Sequence, residues 1–574
     1  MRAWNLGNTT VRSPLRLRDA LIMLVNSPLV GRIEGRENET AFAMALHNAG
    51  VLNIHRPEED VSDMGRKWRS AMTQLGFIYP KIPPREGIPQ TDLGDAYTIT
   101  PNGRRLIDTE TVAGMQECFL RSLAAYYIPS VLERGYPVAA FSPLRHTLAV
   151  LLELERRTRE SRLNFIEMSL FVQLTSSDNP LAGIVDGILA FRAARIASPR
   201  KRLFDTEALA AAAVEHGYVP GTFRDYADCN IRYLKATGLV QSKGRGIAIV
   251  PQKRVFVEQL VADTAIPAND RLILFALCNG ATLPTDNRAT AMVVLNDLVV
   301  QVNRRGVPFD LAGRVLTDPA DIAIIRHEIE DILSRLDEDE YAARQAAEWT
   351  EIVEYMDLLI TPRRIHAVGD DAPIQIPQTE GPAYFEWVLW RAFLAIDSLV
   401  NRPYESRRFK IDQDFLPVGT APGGGPDVIF EFEHFVVVVE VTLTDNSRQE
   451  AAEGEPVRRH VADLMVHHAA LTGKPVYGLF VAKKIDSNTA ETFRIGVWYA
   501  QDDTRMDLDI VPFTLVQFKS LFEAMFQSGN VDAAHLRELF DLCSGTRTDH
   551  HAPAWKAAIA RTVQAKVDAL NVAA

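Results

Sequence analysis

Cysteine is scarce in this 574-residue chain, and the four present, Cys118, Cys229, Cys278 and Cys543, stand too far apart for a C-x-x-C zinc knuckle or a compact disulfide framework. They read as core thiols. No run of 18 uncharged apolar residues occurs, and the opening MRAWNLGNTTVRSPLRLRDA lacks the apolar centre of a signal peptide. The expectation is a soluble, cytoplasmic protein with no membrane partner. A GxxxxGK[ST] phosphate loop is missing, so nucleotide hydrolysis has no visible site. His467-His468 and His550-His551 join no H-E-x-x-H pair and read as ordinary helix and tail histidines. Positive charge is also short. A net charge of −12 argues against a general polyanion binder.

The charge is unevenly spread. Residues 1–250 hold 31 Lys and Arg against 26 Asp and Glu, whereas the remainder holds 31 against 48. A front half able to meet phosphate and a back half rich in carboxylate follow from that asymmetry. The length suggests about three or four domains.

Near the N-terminus, helical patterns at 37–51 and 60–78 precede AYTITPNGRRLI (96–107), a β-like stretch with a PNG turn. The order returns at 205–251: DTEALAAAAVEHGYV, then GTFRDYADCNIRYLKATGLV, then QSKGRGIAIVPQ, with Asp205 as a candidate N-cap and Gly238 closing the second helix. Both read as winged helix-turn-helix units, which serve either to read DNA or to bind protein. For DNA, Arg66, Lys67, Arg69, Arg224, Asn230 and Lys235 have the chemistry to meet base edges, and Lys243 and Arg245 to meet phosphates. The alternative for each is a solvated helix face. Residues 256–375 read as an acidic helical spacer, and the Pro/Gly-rich 361–382 as a domain boundary. The divisions expected are 1–117, 118–255, 256–375 and 376–574.

The last domain opens with a helix started by Pro382, whose stripe is Phe385, Val388, Leu389, Ala392, Phe393, Ile396 and Leu399. Two strands follow, PDVIFEF and FVVVVEVTL, separated by Glu433-His434. If those two residues make the turn, paired positions sum to 867 and Asp427 lies opposite Glu440, on one face. Like charges so placed repel unless a cation sits between them, and carboxylate oxygens suit Mg²⁺. The competing reading is a solvated Asp427 with Glu440 paired to an arginine. The run Gly423-Gly424-Gly425 is expected to let another backbone approach. Pro456 is expected to open a further helix buried through Val457, Val461, Leu464, Met465 and His468, with Arg458, Arg459 and His460 near its start, meeting phosphate or neutralising acid.

PD-(x12)-E-V-T matches the spacing of the PD-(D/E)XK nuclease fold, and EVTLTDNSRQEAAEGEPVRRH resembles the catalytic region of the AlwI family of type IIS restriction endonucleases and related nicking endonucleases. VYGLFVAKKIDSNTAETFRIGVWY and FEWVLWRAF extend that resemblance over most of the final 200 residues. It implies a catalytic set of Asp427, Glu440, Glu453, Thr442 and Glu386, with Val441 joining Asp427, Glu440 and Glu453 at the metal. The usual lysine two residues after the glutamate is Thr442 here, leaving Glu453 to share the work or Lys483 or Lys484 to reach in.

The expected whole is a multidomain α+β protein: tandem winged-helix units, a helical linker and a PD-(D/E)XK domain. Its expected work is Mg²⁺-dependent hydrolysis of double-stranded DNA at a fixed offset from a short asymmetric site, with Mn²⁺ able to substitute, leaving 5′-phosphate and 3′-hydroxyl ends. The protein would bind DNA as a monomer, and a monomer acting alone would nick, which leaves nicking and double-strand cleavage both open. A double-strand break needs a transient dimer of catalytic domains or a second small subunit. The rival is a DNA-binding regulator without catalysis.

Overall fold

The computed structural model describes residues 2–54, 56–362, 374–396 and 398–573. The protein is α+β, and the chain divides into two compact units, one running to Ile332 and one beginning at Leu333. Among the described residues, no helix is long and apolar enough to cross a membrane. All four cysteines are buried and free.

In the first unit, helices Arg36–Asn48 and Ser62–Gln74 fall where periodicity places them. The stretch expected as a wing does not: Pro101–Asp108 is a helix. Thr100 accepts the Gly103 amide at 2.9 Å and Pro101 opens the first turn, so a cap followed by proline overrides the PNG turn signal. Further on come helices Lys201–Glu215 and Pro220–Lys235, then strands β2 (Val240–Lys243) and β3 (Gly246–Ile249). Strand β1 (Leu163–Asn164) completes that sheet in the order β1-β3-β2. Asp205 is no cap; it lies inside the first of these helices, buried and paired with Arg195 at 2.7 Å.

The segment expected as a spacer is not free-standing. Phe256, Val257, Leu260, Leu274, Leu277, Val294, Leu295 and Leu298 are buried and draw residues up to 332 into the first unit. Helix Pro319–Arg344 runs across the dividing point, and helix Trp349–Ile360 belongs to the second unit. Of the expected boundary at 361–382, residues 363–373 lie outside the described residues.

The second unit is built on a four-stranded sheet, β4 (Val428–Glu431), β5 (Val436–Thr442), β6 (Val476–Ala482) and β9 (Asp509–Thr514), in that order. A two-stranded ribbon, β7 (Val497–Tyr499) with β8 (Arg505–Asp507), stands apart from it. β4 is antiparallel to β5, while β5, β6 and β9 run parallel. Parallel strands are covered on both faces, which is why β5 and β6 read as continuous apolar runs.

Helix Arg448–Leu471 makes the crossover from β5 to β6 and packs on β6, where Gly478 leaves room for Val461. Pro456 sits inside this helix and does not start it. The helix begins eight residues earlier because Asn446 and the chain at 446–449 form its first turn, and the proline forgoes one interior hydrogen bond.

Helix Gly381–Leu394 packs against β4 and β5, Phe393 stacking on Phe430 with ring centroids 4.3 Å apart. It is buried around its whole circumference from Ala383 to Phe393 rather than along one stripe. Arg391 is 1% exposed within it and bonds Gln345, Glu351 and Glu348 at 2.6, 2.7 and 2.9 Å, with Trp387 under its guanidinium. Residues 345–351, and with them helix Trp349–Ile360, are thereby fastened to helix Gly381–Leu394.

Candidate active site

The β4–β5 hairpin sets the site. Its connection is the two residues Glu433-His434, closed by the Phe432 amide donating to the Phe435 carbonyl at 2.9 Å. Val428 pairs with Val439 and Ile429 with Val438, so positions sum to 867, and one step on Asp427 meets Glu440. The two acids emerge from one face near the C-terminal end of the parallel strands. Asp427 accepts the Val441 amide at 2.9 Å, and the Glu440 side chain is 9% exposed.

Four further side chains gather there. Glu386, from the all-buried helix, accepts the Ala421 amide at 2.7 Å. Thr442, two residues beyond Glu440 and on the same face, lies beside Glu453 and works against the upward push that burial gives its carboxyl. His460 lies seven residues, about two helical turns, beyond Glu453 and brings Nδ1 to 2.6 Å from the Glu440 Oε1. Its Nε2 is buried without a hydrogen-bond partner among the described residues.

Electrostatics follow from burial. Loss of water raises the Asp427 carboxyl to about 8, with the Glu440 charge adding to it. Glu440 is also raised to about 8, by burial and then by Glu453. Glu386 rises to about 9 through burial and the Asp427 charge. Glu453 moves the same way, by burial. Burial lowers His460, and Arg459 reinforces it. Negative charge here is costly in the absence of a cation, and hard carboxylate oxygens are the donors Mg²⁺ or Mn²⁺ takes. Among the described residues, no three Asp, Glu, His or Cys side chains already converge at ion-holding distance. The donor chemistry fits a divalent ion, with the Asp427–Glu440 pair as its nucleus.

Several expectations change. The partner of Glu440 is His460 rather than an arginine. Arg458 and Arg459 serve locally, the former donating to the Gly454 carbonyl and covering Trp498, the latter pairing with Glu455. At Gly425 the neighbour is a side chain and not a backbone: a Cβ would overlap the Arg408 guanidinium. Gly423 and Gly424 have nothing within 4 Å. Lys483 and Lys484 form no ion pair with the site's carboxylates among the described residues, because their strand ends at Ala482, level with Thr442.

The DNA-reading candidates separate by burial. Asn230 is fully buried, its Oδ1 accepting the Leu6 amide at 2.7 Å and its Nδ2 donating to the Trp4 carbonyl at 3.2 Å, so it meets no base. Arg69 pairs with buried Glu39 at 2.6 Å and covers the Tyr97 ring, so it is an internal clamp. Helix faces look alike in sequence whether they turn inward or outward. Arg66 and Lys67 stay at the surface, both paired with Asp63 on their own helix. Arg224 and Lys243 are exposed, Arg245 is half-buried, and Lys235 donates to Ser242 at 2.9 Å.

A family model described as AlwI restriction endonuclease matches residues 73–521. None of the curated proteins matches the chain. Among solved structures, the chain is similar to the small subunit (R.BspD6I2) of the heterodimeric restriction endonuclease R.BspD6I, at 24% identity over 38% of this chain and 98% of that one, with a TM-score of 0.28. It is also similar to the BpuJ1 endonuclease binding domain, solved with pyrene- and phenanthrene-modified DNA, at 10% identity over 46% of this chain and 89% of that one, with a TM-score of 0.29.

Proposed function

The chain belongs to the AlwI restriction endonuclease family, and from that premise we propose that its second unit is a PD-(D/E)XK nuclease hydrolysing double-stranded DNA beside a site read by the first. The observation that carries this reading is the pairing of Asp427 with Glu440 across β4 and β5, ringed by Glu386, Glu453 and His460. Asp427, Glu440, Val441 and Glu453 would hold a divalent ion, Mg²⁺ or Mn²⁺ in its place, which would supply positive charge at the scissile phosphate and lower the pKa of a bound water.

The chain's own groups hold that arrangement in place. The Val441 amide fixes Asp427, His460 fixes Glu440 by one oxygen, and Thr442 stands beside Glu453. Glu386, anchored by the Ala421 amide, is the fourth carboxylate. Water attacks phosphorus, the bond to the 3′ oxygen breaks, and the proton released by the water ends on that oxygen. The products are a 5′-phosphate and a 3′-hydroxyl.

In the first unit we read the helix–helix–hairpin order of residues 201–249 as a winged helix, with Arg224, Lys243, Lys235 and Arg245 at the DNA, and the helix bearing Arg66 and Lys67 as a wingless second contact to it. One centre attacks one strand at a time, so the protein alone nicks, and a double-strand break needs another centre from a second copy or a small subunit. Incubation with supercoiled plasmid and Mg²⁺ tests this. Open circles are expected, abolished by chelator and by Asp427→Ala, with fragment ends at a fixed distance from one sequence. Supercoils that persist across divalent ions would leave the regulator reading standing instead.

A further inference from the structure

The register that pairs Asp427 with Glu440 continues one strand outward. Arg407 forms an antiparallel bridge with Val428. One step along each chain therefore sets Arg408 across from Asp427, its side chain leaving on the face opposite to that of Arg407. The two arginines diverge accordingly. Arg407 grips both oxygens of Glu338, at 2.6 and 2.7 Å. Arg408 turns back along the hairpin mouth, its Nη1 donating to the Pro426 carbonyl at 3.3 Å, in space that exists because residue 425 has no Cβ. Across three chain segments the row reads Arg408, Asp427, Glu440.

Among the described residues, no carboxylate closes an ion pair with Arg408, and its positive field reaches Glu386, Glu440 and His460. It is thus a cation beside the acids with its planar fork largely unspent. The motif lacks such a cation at Thr442, whose hydroxyl carries no charge. Guanidinium groups match the two non-bridging oxygens of a phosphodiester, in a geometry an ammonium cannot copy.

We propose that Arg408 binds the non-bridging oxygens of the scissile phosphate and supplies the positive charge that the missing lysine would have given. The inference rests on the nuclease reading above, and it makes Gly425 a specific requirement: the glycine is the seat of the guanidinium.

Single-turnover nicking tests it, run with wild type, Arg408→Ala, Arg408→Gln, Gly425→Ala and the Arg408→Ala/Gly425→Ala pair, with Asp427→Ala as the blank. Arg408→Ala should nick about 10²–10³-fold more slowly while its DNA Kd stays within about threefold, and added guanidinium chloride at millimolar concentration should restore part of the rate. Gly425→Ala, which keeps the arginine but displaces its head, should slow nicking about tenfold or more, and the double variant should be no slower than Arg408→Ala alone. If Arg408→Ala does not fold, Arg408→Gln and Gly425→Ala are judged by the same rates. Nicking by Arg408→Ala or Arg408→Gln at the wild-type rate overturns the proposal, as do independent, multiplying losses in the double variant. In those cases wild type still exceeds the Asp427→Ala blank and the nuclease reading survives; a wild type no better than the blank removes both.

Discussion

Replacing Glu386 by glutamine should make the metal-free protein more stable, and increasingly so as pH rises. Glu386 is 5% exposed, and its carboxyl is raised from an ordinary 4.5 to about 9. In the unfolded chain at pH 7 the group is ionised, whereas the folded chain must take up a proton. Each tenfold difference in proton affinity is worth about 1.4 kcal/mol, so carrying the group from 4.5 to neutral pH costs about 3 kcal/mol. Asp427 shares that burden, and about 1–3 kcal/mol is the gain expected at pH 7. Glutamine keeps the volume and the oxygen that accepts the Ala421 amide. The sign follows from the direction of the change. A carboxyl raised on folding favours the folded state fully below its unfolded value, and that favour drains away as pH rises through the folded one. The variant has no such drain, so the two proteins should match near pH 4.5 and diverge up to about pH 9. Urea unfolding at pH 5, 7 and 8.5, followed by tryptophan fluorescence with Trp387 and Trp390 in the same helix, measures the gap. Adding Mg²⁺ should narrow it, because the cation favours the charged wild type. A gap equal at pH 5 and 8.5, or a wild type more stable at pH 8.5 without metal, would refute the reasoning. Glu386→Gln should also lose nicking activity, as expected where stability and catalysis compete for one side chain.

Two further substitutions have definite outcomes. Asn230→Ala removes the acceptor of the buried Leu6 amide and should cost about 1–3 kcal/mol in a thermal melt, yet leave sequence preference in a binding-site selection unchanged. A relaxed preference would return Asn230 to the DNA interface. Arg391→Met strips Gln345, Glu348 and Glu351 of their shared donor, and about 2–4 kcal/mol should be lost from the second unit, less than for wholly buried acids because both glutamates are partly solvated. The nicking rate per folded molecule should hold.

The central hairpin is legible in sequence because two local signals agree: apolar strands of fixed length and a turn short enough to fix their pairing. That alone brings Asp427 to Glu440. The helical periodicity of 37–51 and 60–78 is equally local and finds its helices. Other features depend on what lies across space. Nothing in the surroundings of Asn230 says that its helix face turns toward residues 4–6, and nothing near Arg391 names partners some 40 residues upstream. His460 is visible as a residue in the EGEPVRRH string, but only the crossover of its helix over β6 takes it, and not Arg458 or Arg459, to Glu440. At Thr100–Asp108 two local signals conflict, and the cap with its proline outweighs the turn.

The two-residue connection at Glu433-His434 lies at the far end of the hairpin from the acids. Because alternate residues of a strand face opposite ways, the count from Asp427 to Glu440 has a parity, and one added or lost residue in a strand would swing one acid through the sheet. From Glu440 to Glu453 the chain passes through residues 443–447 outside any strand or helix, where length can be absorbed. The spelling of the hairpin is thus free to drift among valine, isoleucine and phenylalanine while its length is not, so that insertions and deletions, more than substitutions, mark the limits within which sequences of this kind can diverge and still cut.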